Sequence, residues 1–226
     1  MAEGSGQEGQ RPQPFIHDDK PESIIPKHGG YKTLVTFQLA ALIYDVTVRF
    51  CNRNIPIASR THDQMVQAAR SGVQNIVEGS MVSGTSKKIE MKLTGIAIGS
   101  LEELRRDYMD FLRHRELKIW RDNDPRRYTL VARRCKTADE VAAWVKETHR
   151  AYHDNTTTPP PISSSKSIPS IKSIYAETAA NAALVLIGVT IALLDRQLKA
   201  QGAAFEKEGG FTERLYRVRN KRRGQQ

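Results

Sequence analysis

Apolar residues recur at every third or fourth position along three successive segments of this 226-residue chain. The segments run from about 31 to 53, from 61 to about 80, and from about 87 to 115. This period places the apolar side chains on one face of an α-helix, and no segment alternates as a half-buried strand would. The sequence therefore predicts an all-α fold.

The third segment carries the longest apolar seam. Two glycines, Gly95 and Gly99, lie one turn apart within it, and each costs about 1 kcal/mol of helix propensity relative to alanine. We expect a neighbouring helix to approach closely at these glycines. The seam consists of Ile89, Leu93, Ile96, Ser100, Leu104, Tyr108 and Phe111.

A fourth helix is predicted over 174–206, where 17 consecutive residues, Thr178 to Leu194, carry no charge. A membrane-spanning helix needs about 20 predominantly apolar residues. The strongly apolar part of this run is shorter than that, because the run opens with small and polar residues. We therefore expect a buried core helix and no membrane span.

Breaks in composition divide the chain into a series of segments. Connections between the first three helices are short enough to make antiparallel neighbours. The sequence thus predicts an antiparallel up-down four-helix bundle with added segments. These are a disordered tail (1–29), the first three helices (30–120), an irregular or helical insertion (121–153), a flexible Pro/Ser-rich linker (154–173), the fourth helix (174–206) and a basic suffix (207–226).

Catalytic chemistry has little support in the sequence. His149 and His153 have the i, i+4 spacing of a metal pair, but no glutamate follows His149 as in zinc proteases, so exposed histidines are the better interpretation. Cys51 lies on an apolar helix face and is predicted to be buried, and Cys135 has no partner spacing. Without a secretory signal, the prediction is a cytoplasmic protein that is not an enzyme and holds no cofactor or metal.

Basic residues give the clearest functional indication in a chain of formal charge +10. Six cations oppose a single glutamate within 212–226, a composition suited to the phosphates of RNA or DNA. A second group lies late in the third helix, interleaved with acids, and is either a further contact or a salt-bridged face. The suffix cations are Arg214, Arg217, Arg219, Lys221, Arg222 and Arg223, and the second group is Arg105, Arg106, Arg113 and Arg115.

Asn75 and Glu78 stand near the end of the second helix, whose other face is apolar. Their side chains are expected to hydrogen-bond to the adjoining turn and to hold the corner from Gly79 to Thr85, with a direct ligand role as the alternative. Gly79 is predicted to end the helix as a left-handed cap.

Two strings resemble a known family. Residues 70–79, around Asn75-Ile76-Val77-Glu78-Gly79, are similar to the second-helix signature of a bacterial four-helix-bundle family, and residues 96–104, with Gly99 and Ser100, resemble its third-helix signature. That family includes proteins encoded in intervening sequences of ribosomal RNA genes and the accessory variability determinants of diversity-generating retroelements. The chain is most similar to a variant with a C-terminal suffix.

The resemblance implies a ring-like homopentamer whose basic surface binds nucleic acid and a reverse transcriptase. Broad apolar surface on the second and fourth helices independently favours a homo-oligomer. Two hypotheses follow. The chain is a non-enzymatic oligomeric accessory protein that binds nucleic acid, or it is a protein–protein scaffold or adaptor whose basic tail docks an acidic partner.

Overall fold

The computed structural model describes residues 23–154 and 171–224, and these parts of the chain contain helices and no strand. The all-α prediction is confirmed. A 3₁₀ turn, Tyr31–Thr33, precedes the first helix. The helices are α1 (Val35–Asn54), α2 (Arg60–Val82), α3 (Lys87–His114), α4 (Pro125–Arg133), α5 (Ala138–Asp154), α6 (Ile171–Glu208) and α7 (Phe211–Arg223).

The added segments have differing structures. Most of the predicted tail (1–22) and of the predicted linker (155–170) lies outside the described residues. Where the chain enters the described part, the Gly29 N–H donates to the Ser80 carbonyl at 3.0 Å, which joins this segment to the end of α2. The insertion at 121–153 forms α4 and most of α5, and the suffix forms α7.

Local sequence accounts for several helix ends. Ile55, which precedes Pro56, is extended and ends α1, since proline disfavours helical angles in the residue before it. The Ser86 hydroxyl accepts the Ile89 N–H at 3.2 Å and caps α3. The Asp124 carboxylate likewise accepts the Arg126 N–H and caps α4. Pro125 takes the first helical position, where an amide N–H would have no partner within the helix.

Helices α2 and α3 pack closely and run in opposite directions. The Ser71 and Ser100 hydroxyls lie 2.9 Å apart near the middle of the pair. Further along α2, the backbone of Gly79 faces Leu93, which is earlier in α3, and a β-carbon added to Gly79 would lie 3.4 Å from that side chain. A methyl group at Gly79 would make ordinary van der Waals contact, so only a longer side chain would push the two helices apart.

Helix α6 packs against both α1 and α3 and runs opposite to each. The Thr36 hydroxyl, early in α1, donates to Gln197, late in α6, at 2.9 Å. At the other end, the Trp120 N–H, beyond α3, donates to Asn181 at 2.8 Å. The interior between α1, α2, α3 and α6 is filled by apolar side chains, including Ile43, Met65, Leu101, Leu104, Ile187 and Leu194.

The predicted seam of α3 is wrong in its first half. Ile89 and Ile96 are 47% and 43% exposed, whereas Thr94 and Ala97 are buried. Gly95, like Gly99, has no neighbour within 4 Å of an added β-carbon, so no helix of the described chain approaches either glycine. Periodicity could not reveal this, because apolar residues on the outer face of the helix keep the same spacing.

One segment, beginning at Ile174, is long and apolar enough to cross a membrane by length and composition. Of its most apolar window, 56% is buried within the protein. The same test is passed by core helices of soluble proteins, so it is weak evidence for a membrane span.

Candidate nucleic-acid interface

Glycines at 209 and 210 separate α7 from α6. Gly209 adopts φ +73°, a left-handed conformation that costs glycine little, and its N–H donates to the Phe205 carbonyl at 2.9 Å. The Gly210 N–H then donates to the Glu213 carboxylate at 2.8 Å. Glu213 is the one acidic residue of α7, and its carboxylate caps the helix start.

One side of α7 is apolar. Phe211, Leu215 and Val218 have the i, i+4, i+7 spacing of a single helix face, and Val218 is only 3% exposed. Beside this face, a small cleft is lined by Arg214, Arg217, Pro26, Lys87 and the connection 83–86 between α2 and α3. Helix α7 therefore lies at the corner where α3 begins.

The remaining cations of α7 face solvent. Within the described part of the chain, none of them has a hydrogen bond or an ion pair to another side chain. Tyr216 stands among them and is 64% exposed. The four exposed cations are Arg219, Lys221, Arg222 and Arg223.

The arginines late in α3 are arranged differently, because most of them are engaged within their own helix. Arg105 pairs with Glu102 at 2.9 Å, and Arg113 pairs with Asp110 at 2.7 Å. Arg115 stacks over the Phe111 ring, with its guanidinium carbon 3.9 Å from the ring centroid. Arg106 is exposed and has no such partner among the described residues.

Carboxylates outnumber the arginines in this part of α3. Residues 102–116 contain four arginines and five acids. The hydrogen bond from Arg113 holds the pKa of Asp110 below its usual range. Burial, together with neighbouring carboxylates at Asp110 and Glu103, raises the pKa of Asp107. The electrostatic character here is that of a mixed, salt-bridged face, so it offers a polyanion little attraction.

The two basic groups do not form one surface. Lys87, at the start of α3, lines the cleft beside α7. A helix rises about 1.5 Å per residue, which puts Arg105 roughly 27 Å and Arg115 roughly 42 Å further along the axis. The structure thus places Arg214 and Arg217 beside the start of α3, well before the α3 arginines along the axis of that helix.

The family-like motif residues lie between α2 and α3. The Asn75 amide donates to the carbonyl and the hydroxyl of Ser71, one turn back, at 2.8 and 3.2 Å. The expected contact of Asn75 with the turn is therefore wrong. Ser71 in turn contacts Ser100 of α3, so the polar residues form a chain across the two helices.

The other motif residues serve different purposes. Gly79 is buried inside α2, which continues to Val82, so the left-handed cap predicted at Gly79 is wrong. Its backbone faces Leu93 of α3, where an added β-carbon would be at ordinary contact distance. Glu78 is exposed, as is Gly99.

The histidine and cysteine predictions have separate outcomes. His149 is buried, contrary to expectation, because its ring stacks on Tyr175 of α6 with centroids 3.8 Å apart. Cys51 is fully buried as predicted, and this burial raises the pKa of its thiol to about 12. Within residues 23–154 and 171–224, no cluster of three His, Cys, Asp or Glu side chains is placed to hold a metal ion.

Sequence reasoning missed Tyr216. Its position in the basic run was visible, but nothing in the sequence distinguished it from a core aromatic at a helical spacing. Only the placement of Phe211, Leu215 and Val218 on the inner face shows that Tyr216 points outward.

Comparison of the chain with protein-family models, with curated proteins and with solved structures finds no match. The family resemblance of the strings at 70–79 and 96–104 stays a prediction.

Proposed function

We propose that this chain is a non-enzymatic, cytoplasmic protein that binds nucleic acid through the outer face of α7. The observation that carries the proposal is the group of four exposed cations on α7, which no carboxylate of the described chain neutralises. Phosphate contacts by such side chains release condensed counterions and need no particular base sequence.

Because the ring of Tyr216 is exposed, we also propose that α7 binds single-stranded nucleic acid. Exposed aromatic rings beside cations form platforms on which unpaired bases stack. Tyr216 lies three residues before Arg219 and seven before Arg223, so the three side chains share one face of the helix. An unpaired strand could contact this face with a phosphate on each arginine and a base on the ring.

The architecture proposed for α1, α2, α3 and α6 is an antiparallel up-down four-helix bundle. Support comes from the opposed directions of the contacting pairs and from the hydrogen bond that the Tyr108 hydroxyl donates to Thr47 across the core at 3.1 Å. In this arrangement α7 extends from the bundle end at which α3 begins. The cytoplasmic proposal is supported by both cysteines being free thiols that are buried.

Self-association of the protein is supported by the outer face of α3. Ile89, Ile96, Gly95 and Gly99 lie on one side of that helix, with the isoleucines close to half exposed. Glycines in a helix interior cost stability, and within residues 23–154 and 171–224 nothing lies within 4 Å of a β-carbon added to either one. A helix of a second copy would bury the isoleucines and approach closely over the glycines. The motif resemblance extends this to a homopentamer that serves a reverse transcriptase.

The nucleic-acid proposal is tested by titrating fluorescent single-stranded RNA and duplex DNA with the full-length protein at several salt concentrations. Four contacts predict that log affinity falls with log salt at a slope of about −3 for single strands and about −4 for duplex DNA. A slope near zero, or no binding at low salt, would contradict the proposal and favour the scaffold hypothesis, in which α7 docks an acidic protein.

The self-association proposal is tested by light scattering coupled to gel filtration. The wild-type mass is expected to be a multiple of the 25.4 kDa chain, and Ile96→Lys is expected to give the monomer. Met109→Lys is the matched control, because Met109 is 40% exposed on another face of α3. A monomeric wild type at micromolar concentration would refute self-association.

A further inference from the structure

A groove lies between α1, α5 and α6, far in the fold from α7. Its volume is about 690 Å³, which is within the range of pockets that hold small molecules. Its walls are almost wholly apolar. They include the side chains of Val46, Phe50, Val141, Val145, Ala176 and Ala179.

The charged residues of this groove are all cationic. Arg49, Arg53 and Lys146 line it, and no carboxylate does so in the described chain. Arg49 is committed to the Ala138 carbonyl at 3.0 Å and to Asp139 at 2.6 Å. Arg53 and Lys146 are exposed and have no ion pair within the described residues.

The walls of the groove are held in place by contacts that do not depend on an occupant. The Asn54 amide donates to the Phe50 carbonyl at 2.9 Å, which secures the last turn of α1. On the opposite wall, Tyr175 is stacked on His149. A groove built on three packed helices in this way is largely formed before any ligand arrives.

We infer that this groove binds an amphipathic carboxylate, a free fatty-acid anion whose acyl chain lies on the apolar walls and whose carboxylate meets Arg53 and Lys146. Each methylene that leaves water adds to the binding free energy, so the acyl chain supplies most of the affinity. The two cations select an anionic head group over a neutral or cationic one.

The test is a calorimetric titration of the full-length protein with laurate, with dodecanol as the neutral counterpart of the same length. Saturable laurate binding is expected, with dodecanol at least tenfold weaker. Arg53→Gln/Lys146→Gln is expected to weaken laurate binding roughly tenfold, in line with two partly exposed ion pairs. Arg70→Gln/Lys199→Gln, which changes two exposed cations outside the groove, is expected to bind as the wild type does.

A second variant tests the cavity itself. Ala142 lines the groove and is half-buried, so Ala142→Leu fills space without changing charge and is expected to abolish laurate binding while thermal unfolding stays cooperative. Unchanged laurate affinity in a folded Ala142→Leu protein would overturn the inference. Absence of laurate binding by the wild-type protein would overturn it too. If the protein then sediments with phosphatidylglycerol vesicles, the apolar walls of the groove are a membrane-binding surface. Nucleic-acid binding is measured separately, so failure here leaves the role of α7 intact.

Discussion

The suffix helix α7 and the last turns of α3 carry similar numbers of arginines and differ in almost every property that governs polyanion binding. In α3, acids at i−3 pair with Arg105 and Arg113, and carboxylates outnumber arginines. In α7 the single acid, Glu213, is engaged at the helix start. We therefore expect local neutralisation, more than the count of basic residues, to decide which of the two surfaces attracts phosphate.

The largest expected effect comes from removing the charges of each region in turn. The α7 variant is expected to lose roughly 100-fold or more in affinity for RNA at low salt, because about four phosphate contacts are lost. The α3 variant is expected to lose less than about threefold, because Arg105 and Arg113 are already paired and the acids around all four arginines outnumber them. Fluorescence anisotropy measures both. The first variant is Arg219→Gln/Lys221→Gln/Arg222→Gln/Arg223→Gln, and the second is Arg105→Gln/Arg106→Gln/Arg113→Gln/Arg115→Gln.

Equal losses in the two variants would show that the comparison is wrong. Circular dichroism at the same concentration confirms that both proteins remain helical.

A smaller effect is expected from Tyr216→Leu. A stacked base contributes about 1–3 kcal/mol, so binding of single-stranded RNA should weaken about fivefold or more, while duplex binding stays the same. Tyr128→Leu is the control, since Tyr128 is 65% exposed against 64% for Tyr216 and lies on α4. A matching loss for duplex and single strand would remove the stacking role and leave only the charges.

Removing the acidic partners of the α3 arginines also tests the comparison between α3 and α7. Glu102→Gln/Asp110→Asn removes the partners of Arg105 and Arg113 and is expected to raise affinity for RNA about two- to threefold, because two cations become available for phosphate. The matched control is Asp45→Asn/Asp195→Asn, which removes two exposed acids from α1 and from the middle of α6 and is expected to leave the affinity unchanged. An equal gain in the control would show that net charge, and not the release of Arg105 and Arg113, raises the affinity.

The smallest effect concerns pH. The pKa of Asp110 is held below its ordinary value of 3.8 by the hydrogen bond from Arg113. A depressed carboxyl pKa means that the pair persists above that ordinary value and is lost only as pH falls through the lower, folded-state value. Between pH 7 and pH 5, the α3 arginines should therefore contribute no new binding. Anisotropy with the α7 variant, in which the four exposed cations of α7 are neutral, should show no gain over this interval.

Helices, and the sites where they end, were largely predictable because local chemistry decides them. Pro56 ends α1, Gly209 ends α6, and the apolar period marks the cores of α2 and α3. The buried positions Leu104, Tyr108 and Phe111 follow directly from that period.

Which side chains point into the core was less predictable than where the helices begin and end. Ile89 and Ile96 fit an inward seam by spacing, yet they are exposed, since periodicity gives a face and does not say what covers it. His149 was placed in solvent because Tyr175, its stacking partner, is remote in sequence. The candidate interface was visible as a run of charge, but the pairing of the α3 arginines and the outward position of Tyr216 required the fold.

Helix α6 has an amide at each of three levels along its length. Asn181 binds the backbone at Lys118 and Trp120, Gln197 accepts from Thr36, and Gln201 accepts from Thr94. Residues 182–196, between these amides, are mainly aliphatic. A slip of one turn, about 5.4 Å, would break the bonds of Asn181 to Lys118 and Trp120 and leave the buried Trp120 N–H without its acceptor. Asn181 therefore favours one axial position of α6, and with it one point at which the chain leaves α6 to begin α7.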